Sequence, residues 1–421
     1  MKWLAAKALS FLLLISLLVC GAASAQEVVI GLNIPLTGPY AAQGKDQQEG
    51  FMLAIETLNA KGGVLGHQIR PVIKDSQSNP ETARKNTLEM IWNENAAMIS
   101  GGISSAVAIA VSAECQEQGV IFMTGLTHDN ATTGHMQTPG GFMVQTAHRH
   151  TFRWFLNAWM SASAMAPYLS ETYGKNKEYF YISADYSWGH SLEDSMRRFL
   201  ELEGADTKGS LFTPLGSKDF KKELEQAKEA APDILVLNLF GDDLVNALKQ
   251  AYEMKVTKKM QVVVPLLEVQ MAKALGPEIL QGILATTIWH HSLESKYPGS
   301  KTFVDAFRKK FNRPPGVAAA TGWVAVNQWA DAVEKAKDFY ADDKIILGLE
   351  GHKFVLLKDE EIWRAWDHQC MSSVFILKGK SPKKVQNEWD MLEIVAEKPG
   401  PGVMRSRDEN PVSLEPLVIE E

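Results

Sequence analysis

Val28-Val29-Ile30-Gly31-Leu32, then Pro35-Leu36-Thr37-Gly38-Pro39-Tyr40, then a helical stretch from about Ala42 to Asn59 read as strand, turn-rich loop and helix. This unit decides the fold because it recurs. Ile69-Arg70-Pro71-Val72-Ile73-Lys74-Asp75 leads through Ser76, Ser78, Asn79 and Pro80 into a helix carrying Ala83, Leu88, Ile91 and Trp92. Ala97-Met98-Ile99-Ser100 precedes a helix running to Glu117, and Val120-Ile121-Phe122-Met123 precedes a polar loop. Short apolar strands alternating with helices specify βαβ units and a parallel sheet covered on both faces.

The rhythm restarts after Phe142-Met143-Val144, with a helix predicted through Phe152, Phe155 and Trp159. Strands follow at Tyr179–Ile182, Ser210–Phe212, Ile234–Leu237 and Val262–Val264, each trailed by a helical pattern such as Asp219 to Ala230 or Asp242 to Met254. Two doubly wound, Rossmann-like α/β lobes are therefore expected. Later, Ile283–Thr287 reads as a connecting strand, 300–311 and 318–339 as helices, and Phe354–Leu357 as a late strand. From about Pro382 the chain is polar and proline-bearing, as expected of a tail that wraps the surface.

Upstream, Lys2 and Lys7 precede an apolar run from Phe11 to Val19 that ends at Ala23-Ser24-Ala25. A charged amino end, an apolar core and a small-x-small site make a secretory signal peptide over residues 1–25, which places the mature chain in the periplasm. The run is shorter than the roughly 18–20 apolar residues needed to span a bilayer. Cleavage removes two lysines and no acid, so the net charge falls from −7 to −9, which argues against nucleic acid as a partner. At this length two domains are expected, since single cores rarely grow beyond ~250–300 residues. The mature chain keeps Cys115 and Cys370, either bridged or, the favoured reading, separately buried as small apolar groups.

Ligands of open parallel sheets bind beyond the carboxyl ends of strands. Four loops stand there. Gly101-Gly102-Ile103-Ser104-Ser105-Ala106 opens a helix whose N–H groups favour an anion, although Ser104 reads equally well as a plain helix cap. Thr124-Gly125-Leu126-Thr127-His128-Asp129-Asn130 adds hydroxyls and backbone donors, with His128 read as an exposed histidine. Ala184-Asp185-Tyr186-Ser187-Trp188-Gly189 and Phe240-Gly241-Asp242-Asp243 put rings at strand ends, which suits either core or pocket roof. No Gly-x-Ser-x-Gly elbow, no Gly-x-Gly-x-x-Gly and no His-Glu-x-x-His is present, which points to binding rather than catalysis. The pairs His148/His150 and His290/His291 lack a cysteine or carboxylate at ligand spacing, so they read as hinge or surface residues; no metal and no cofactor is expected.

Ile34–Pro39, the run Asn59-Ala60-Lys61-Gly62-Gly63-Val64-Leu65-Gly66, Ser76–Pro80 and the Ser104-Ser105 loop, taken together, resemble the leucine/isoleucine/valine-binding protein family. These are type I periplasmic receptors of ABC importers, and the resemblance runs from about residue 27 to 370. It implies two lobes joined by three hinge crossings, near Thr146, Thr287 and Gly348. One lobe would hold 26–146 and 288–347, the other 147–287 and 348–385, with a tail over 386–421. The family's grip on a ligand carboxylate maps to Ser104 and Thr127, with backbone help near Ser105 and Leu126, and its aromatic roof to Trp188 and Phe240.

The resemblance further implies a small carboxylate-bearing ligand, a branched-chain or other amino acid by default, a membrane permease as partner, and a monomer. Tyr40 and Gln43 are added as polar contacts. The family's ammonium-binding acid corresponds to Glu268 only with a displacement of a residue or two, so an organic acid or amide without an amino group stays open. A sensory receptor of the same fold and a secreted α/β enzyme are the readings from other classes.

Overall fold

The computed structural model describes residues 26–138 and 140–417; the signal peptide read over 1–25 lies outside them. Two sheets organise the chain. The first, in the order Gln68–Asp75, Glu27–Ile34, Ala96–Gly101, Ile121–Thr124, Thr151–Phe152, is parallel throughout. The second runs Leu392–Lys398, Val374–Gly379, Leu284–Thr287, Gln261–Leu266, Ile234–Asn238, Glu178–Ala184, Asp206–Thr213. Its last five strands are parallel, and the first two add an antiparallel edge. Strand interiors such as Ile30, Leu32, Met98, Leu235 and Val263 are buried, as helices on both faces require. Among the described residues no helix is long and apolar enough to cross a membrane.

The helix Val317–Ala336 leaves the second sheet's vicinity and packs on Ala41–Asn59 of the first. Glycine makes that contact: a Cβ on Gly50 would lie 2.0 Å from the Ala319 carbonyl oxygen, so only a residue without one lets the two backbones approach. This close approach brings the first turn of Val317–Ala336 next to the loop that follows Gln261–Leu266 of the second sheet, where Ala318 N–H meets Glu268.

The chain leaves the first sheet later than the position near Thr146, because Thr151–Phe152 still pairs with Ile121–Thr124. The helix expected through Phe152 and Phe155 begins at Ala158, where the Asn157 side chain accepts the Met160 N–H at 2.9 Å and caps it. The segment 153–157 thus becomes a passage between the sheets. It runs beside 368–370: Arg153 N–H donates to His368 O at 3.0 Å, Cys370 N–H to Arg153 O at 2.8 Å, and the Gln369 side chain to Phe155 O at 3.0 Å.

Three further expectations change. The late strand is confined to Lys353–Phe354, since Ser300 Oγ takes the Leu357 carbonyl at 2.5 Å that a ladder would need. Within the tail, Leu392–Lys398 forms the edge strand of the second sheet. Beyond it the chain reaches back to the first sheet's loops, where Arg405 donates to Asn130 O at 3.1 Å and Asn410 to Thr133 O at 2.9 Å. His150, His290 and His291 are buried rather than on the surface. Cys115 and Cys370 are both free and buried, and burial pushes both thiols up.

Candidate functional site

The loops at the carboxyl ends of the two sheets face one another. On the first sheet, the loops after Ala96–Gly101 and Ile121–Thr124 are laced together by Gly125 N–H to Gly101 O at 3.0 Å and Leu126 N–H to Gly102 O at 2.9 Å. Gly125 permits this, because a Cβ there would lie 2.2 Å from the Gly102 oxygen. The result sets Ile103, Ser105, Leu126 and His128 on one wall. The second sheet supplies Tyr186, Trp188, Phe240 and Leu266, and Tyr40 comes from the first strand-to-helix loop.

These residues enclose a cavity of about 10 Å³, room for roughly one water. Rings fill most of the space. Tyr40 and Phe240 lie 5.8 Å apart, Tyr186 and Trp188 5.9 Å, and Trp188 and Phe240 6.3 Å, within the range of edge and offset aromatic contacts. The Tyr40 and Tyr186 hydroxyls meet at 2.9 Å, and burial raises both phenols above their usual range. None of the described residues lining the cavity carries a formal charge at neutral pH.

Ser105 Oγ accepts from the N–H groups of His128 (3.3 Å) and Asp129 (3.1 Å) and from Thr127 Oγ1 (3.2 Å). With those donors on its oxygen, its own proton is left to point elsewhere. Ser105 also opens the helix Ser105–Gln118, whose N-terminal dipole faces the cavity.

A hydrogen-bonded chain fixes His128. Trp188 Nε1, which can only donate, gives its proton to His128 Nδ1 at 2.9 Å. His128 Nε2 therefore carries the ring proton and donates to Ser161 Oγ at 2.7 Å. Ser161 in turn meets Thr286 Oγ1 at 2.8 Å, and Thr286 donates to the Pro265 carbonyl at 2.6 Å. His128 is 1% exposed. Burial, reinforced by the Arg153 guanidinium, lowers its pKa to about 3, so the imidazole is neutral.

Of the residues expected at the ligand, Tyr40, Ser105, Leu126, Trp188 and Phe240 line this cavity. The structure does not bring Ser104, Thr127, Gln43 or Glu268 to its wall. Ser104 is the residue before the helix, without a side-chain cap bond, and Thr127 turns toward Thr132 Oγ1 at 2.8 Å. Gln43 is buried, and its Oε1 has no partner among the described residues. Glu268, 2% exposed, accepts the Ala318 N–H at 2.9 Å through Oε1 and leaves Oε2 without a partner among the described residues. Burial, then the nearby Asp46, hold its carboxyl well above the usual range.

The exposed reading of His128 is overturned. It follows a buried strand and is enclosed by Trp188 and Ser161, which are remote in sequence. Ile103, Tyr186 and Leu266 were missed individually, although Ile103 and Tyr186 lie in strand-end loops that the sequence singles out; Leu266 ends the strand Gln261–Leu266.

A family profile described as periplasmic binding protein matches residues 27–384. Leu/Ile/Val-binding protein homolog 7 of Brucella suis biovar 1 (strain 1330) is 27% identical over 333 residues, which cover 78% of this chain and 82% of that protein. A crystal structure of a periplasmic binding protein from Burkholderia mallei superposes with a TM-score of 0.84 at 23% identity, covering 93% of this chain and 99% of that one. A solute binding protein of an ABC transporter from Rhodopseudomonas palustris BisB5, in complex with 3,4-dihydroxybenzoic acid, gives 0.78 at 19% identity, covering 89% and 98%.

Proposed function

This chain belongs to the periplasmic binding protein family, and we propose that it is the receptor of an ABC-type importer for a small organic acid with an apolar or aromatic body and no ammonium group. One observation supports this ligand over a branched-chain amino acid: among the described residues no carboxylate lines the cavity. Glu268, the acid to which the family resemblance points, is bonded to Ala318 outside it. A buried ammonium without a charged or hydrogen-bonding partner is strongly disfavoured. A carboxylate, by contrast, has the free Ser105 hydroxyl and the first N–H groups of Ser105–Gln118. The rings of Tyr40, Tyr186, Trp188 and Phe240 supply apolar area at little entropic cost.

The ligand leaves unchanged. His128 accepts from Trp188 and donates away from the cavity, so it does not activate Ser105 as a nucleophile. The ligand enters by separation of two lobes about the passages 153–157 and 368–373, and the closed form is read by a membrane permease.

The test is a thermal-shift and calorimetric panel of benzoate, hydroxybenzoates, leucine, isoleucine and valine. A specific ligand at a hundredfold excess over Kd stabilises the fold by about 2.7 kcal/mol. Shifts with arenecarboxylates and none with amino acids are expected, and Ser105→Ala is expected to weaken binding about tenfold, as loss of a hydrogen bond to a charged group does. A shift with leucine and none with any arenecarboxylate would overturn the ligand class.

A further inference from the structure

Resting on that ligand class, the geometry points to His128 as a specificity-determining residue: a ligand hydroxyl inserts between Trp188 Nε1 and His128 Nδ1, accepting from the indole and donating to the imidazole. The cavity's volume of about 10 Å³ excludes an arene while the rings stand where they are. A ligand therefore separates the walls. Between the side chains that line the cavity, the hydrogen bonds that tie wall to wall are Trp188–His128 and Tyr40–Tyr186, each 2.9 Å long; outside it, His128 Nε2 meets Ser161 and Asn130 meets Ser191 and Ser195.

Separation leaves both partners of the first bond buried and unpaired, a costly arrangement unless the ligand satisfies them. One is a donor that cannot accept. The other is an acceptor that cannot donate, because Nε2 holds the ring proton against Ser161 Oγ at 2.7 Å. The reverse tautomer is opposed from behind: the proton order runs on through Thr286 to the Pro265 carbonyl, which only accepts. Burial of His128, with Arg153 nearby, keeps the imidazole from taking a second proton at any pH above about 4.

A single group that accepts and donates at one atom fits this pair, and a hydroxyl oxygen is the smallest. Two bonds of about 2.8 Å meeting at such an oxygen need the nitrogens roughly 4.6 Å apart. A carboxylate placed here would face the lone pair of Nδ1 without a proton to share. The anionic end of the ligand thus belongs at Ser105, and its hydroxyl at His128 and Trp188.

The test measures Kd by calorimetry for benzoate, the three hydroxybenzoates and the matching methoxybenzoates. At least one hydroxybenzoate is expected to bind tenfold or more tightly than benzoate. Its methyl ether, which accepts but cannot donate, is expected to lose that advantage. In His128→Phe the ratio of hydroxybenzoate to benzoate affinity falls to about one, and His128→Gln, which keeps an acceptor, restores part of it. Ser161→Ala, which releases the tautomer, lowers the ratio and serves if His128→Phe does not fold. A ratio near one in the unaltered protein, an equally favoured methyl ether, or a ratio untouched by these variants overturns the inference and leaves the ligand class standing. Failure of every arenecarboxylate to bind removes both.

Discussion

Two buried polar clusters join the sheets, and they are built on opposite principles. Around His128 each proton has an acceptor, from Trp188 through Ser161 and Thr286 to the Pro265 carbonyl. Around Glu268 the accounts do not balance. Its Oε2, both polar atoms of the Gln270 amide and Oε1 of Gln43 and Gln47 have no partner among the described residues. The first cluster fixes a geometry, as a fully satisfied network does. The second makes the close approach of the sheets costly, because water would reach those atoms if the sheets parted. A receptor needs both, a rigid reader and a closed form that does not hold itself shut.

The largest effect comes from breaking the second cluster at its one strong point. Asp46 is fully buried, pairs with Arg313 Nη1 at 2.6 Å, and accepts the N–H groups of Gly316 (3.1 Å) and Ala319 (2.9 Å). Asp46→Ala strands those donors and is expected to cost about 3–5 kcal/mol in urea unfolding, the range for one partner removed from a buried pair. A loss below about 1 kcal/mol would mean that Arg313 is held by Glu49 alone.

Glu268→Gln sharpens the contrast in the other direction. The folded-state pKa of Glu268 is raised, so its stability contribution is complete below the unfolded carboxyl value of about 4.3 and is lost as pH rises through the folded value. Glutamine keeps an acceptor for Ala318 N–H and has no such loss. The variant should gain on the original with rising pH, by about 1–3 kcal/mol near neutrality, the usual cost of a buried group without a partner. Melting curves at pH 4 and 7.5 check the sign. A gain at pH 4 that vanishes at 7.5 would refute it.

His128 carries the opposite pH dependence. Its folded pKa is depressed to about 3, so the unfolded chain takes up a proton that the folded chain refuses below about pH 6.5, and stability falls as pH drops. His290 and His291, the latter lowered to about 4, act in the same sense, and burial is the main cause for each. His128→Gln should therefore flatten the acid limb by roughly 1–2 kcal/mol between pH 6.5 and 5. An unchanged slope would place the titration elsewhere.

The fold was legible because strand-helix alternation is a local pattern. The runs at 28–32, 97–100 and 234–237 are all buried parallel strands in the structure. The edge strand Leu392–Lys398 was not, since its polar, half-buried face gives no core-like signal, unlike its partner Val374–Gly379, whose Val374, Phe375, Ile376 and Leu377 are buried. At the site, the strand-end loops were visible as loops, and Trp188 and Phe240 as their rings. Which residue of each loop faces inward was not. Ser104 and Ser105 differ by one step, and the boundary between cap and first helical turn is not settled by composition. His128 illustrates the deeper limit: its burial and tautomer depend on Trp188, Ser161 and Thr286, which are remote in sequence.

The smallest effect separates the second bond between the walls from the first. Tyr40 and Tyr186 hydroxyls are each other's partner at 2.9 Å, with neither backed by a chain of the kind behind His128. Tyr40→Phe leaves the Tyr186 hydroxyl buried and alone, and Tyr186→Phe does the same to Tyr40, so each should cost about 0.5–1.5 kcal/mol. The double variant removes both polar groups and leaves ring against ring. It should cost no more than either single change, a coupling of about 1 kcal/mol in a double-mutant cycle. Additive losses would mean that each hydroxyl has its own partner, and that among the side chains lining the cavity the walls are joined by the His128–Trp188 bond alone.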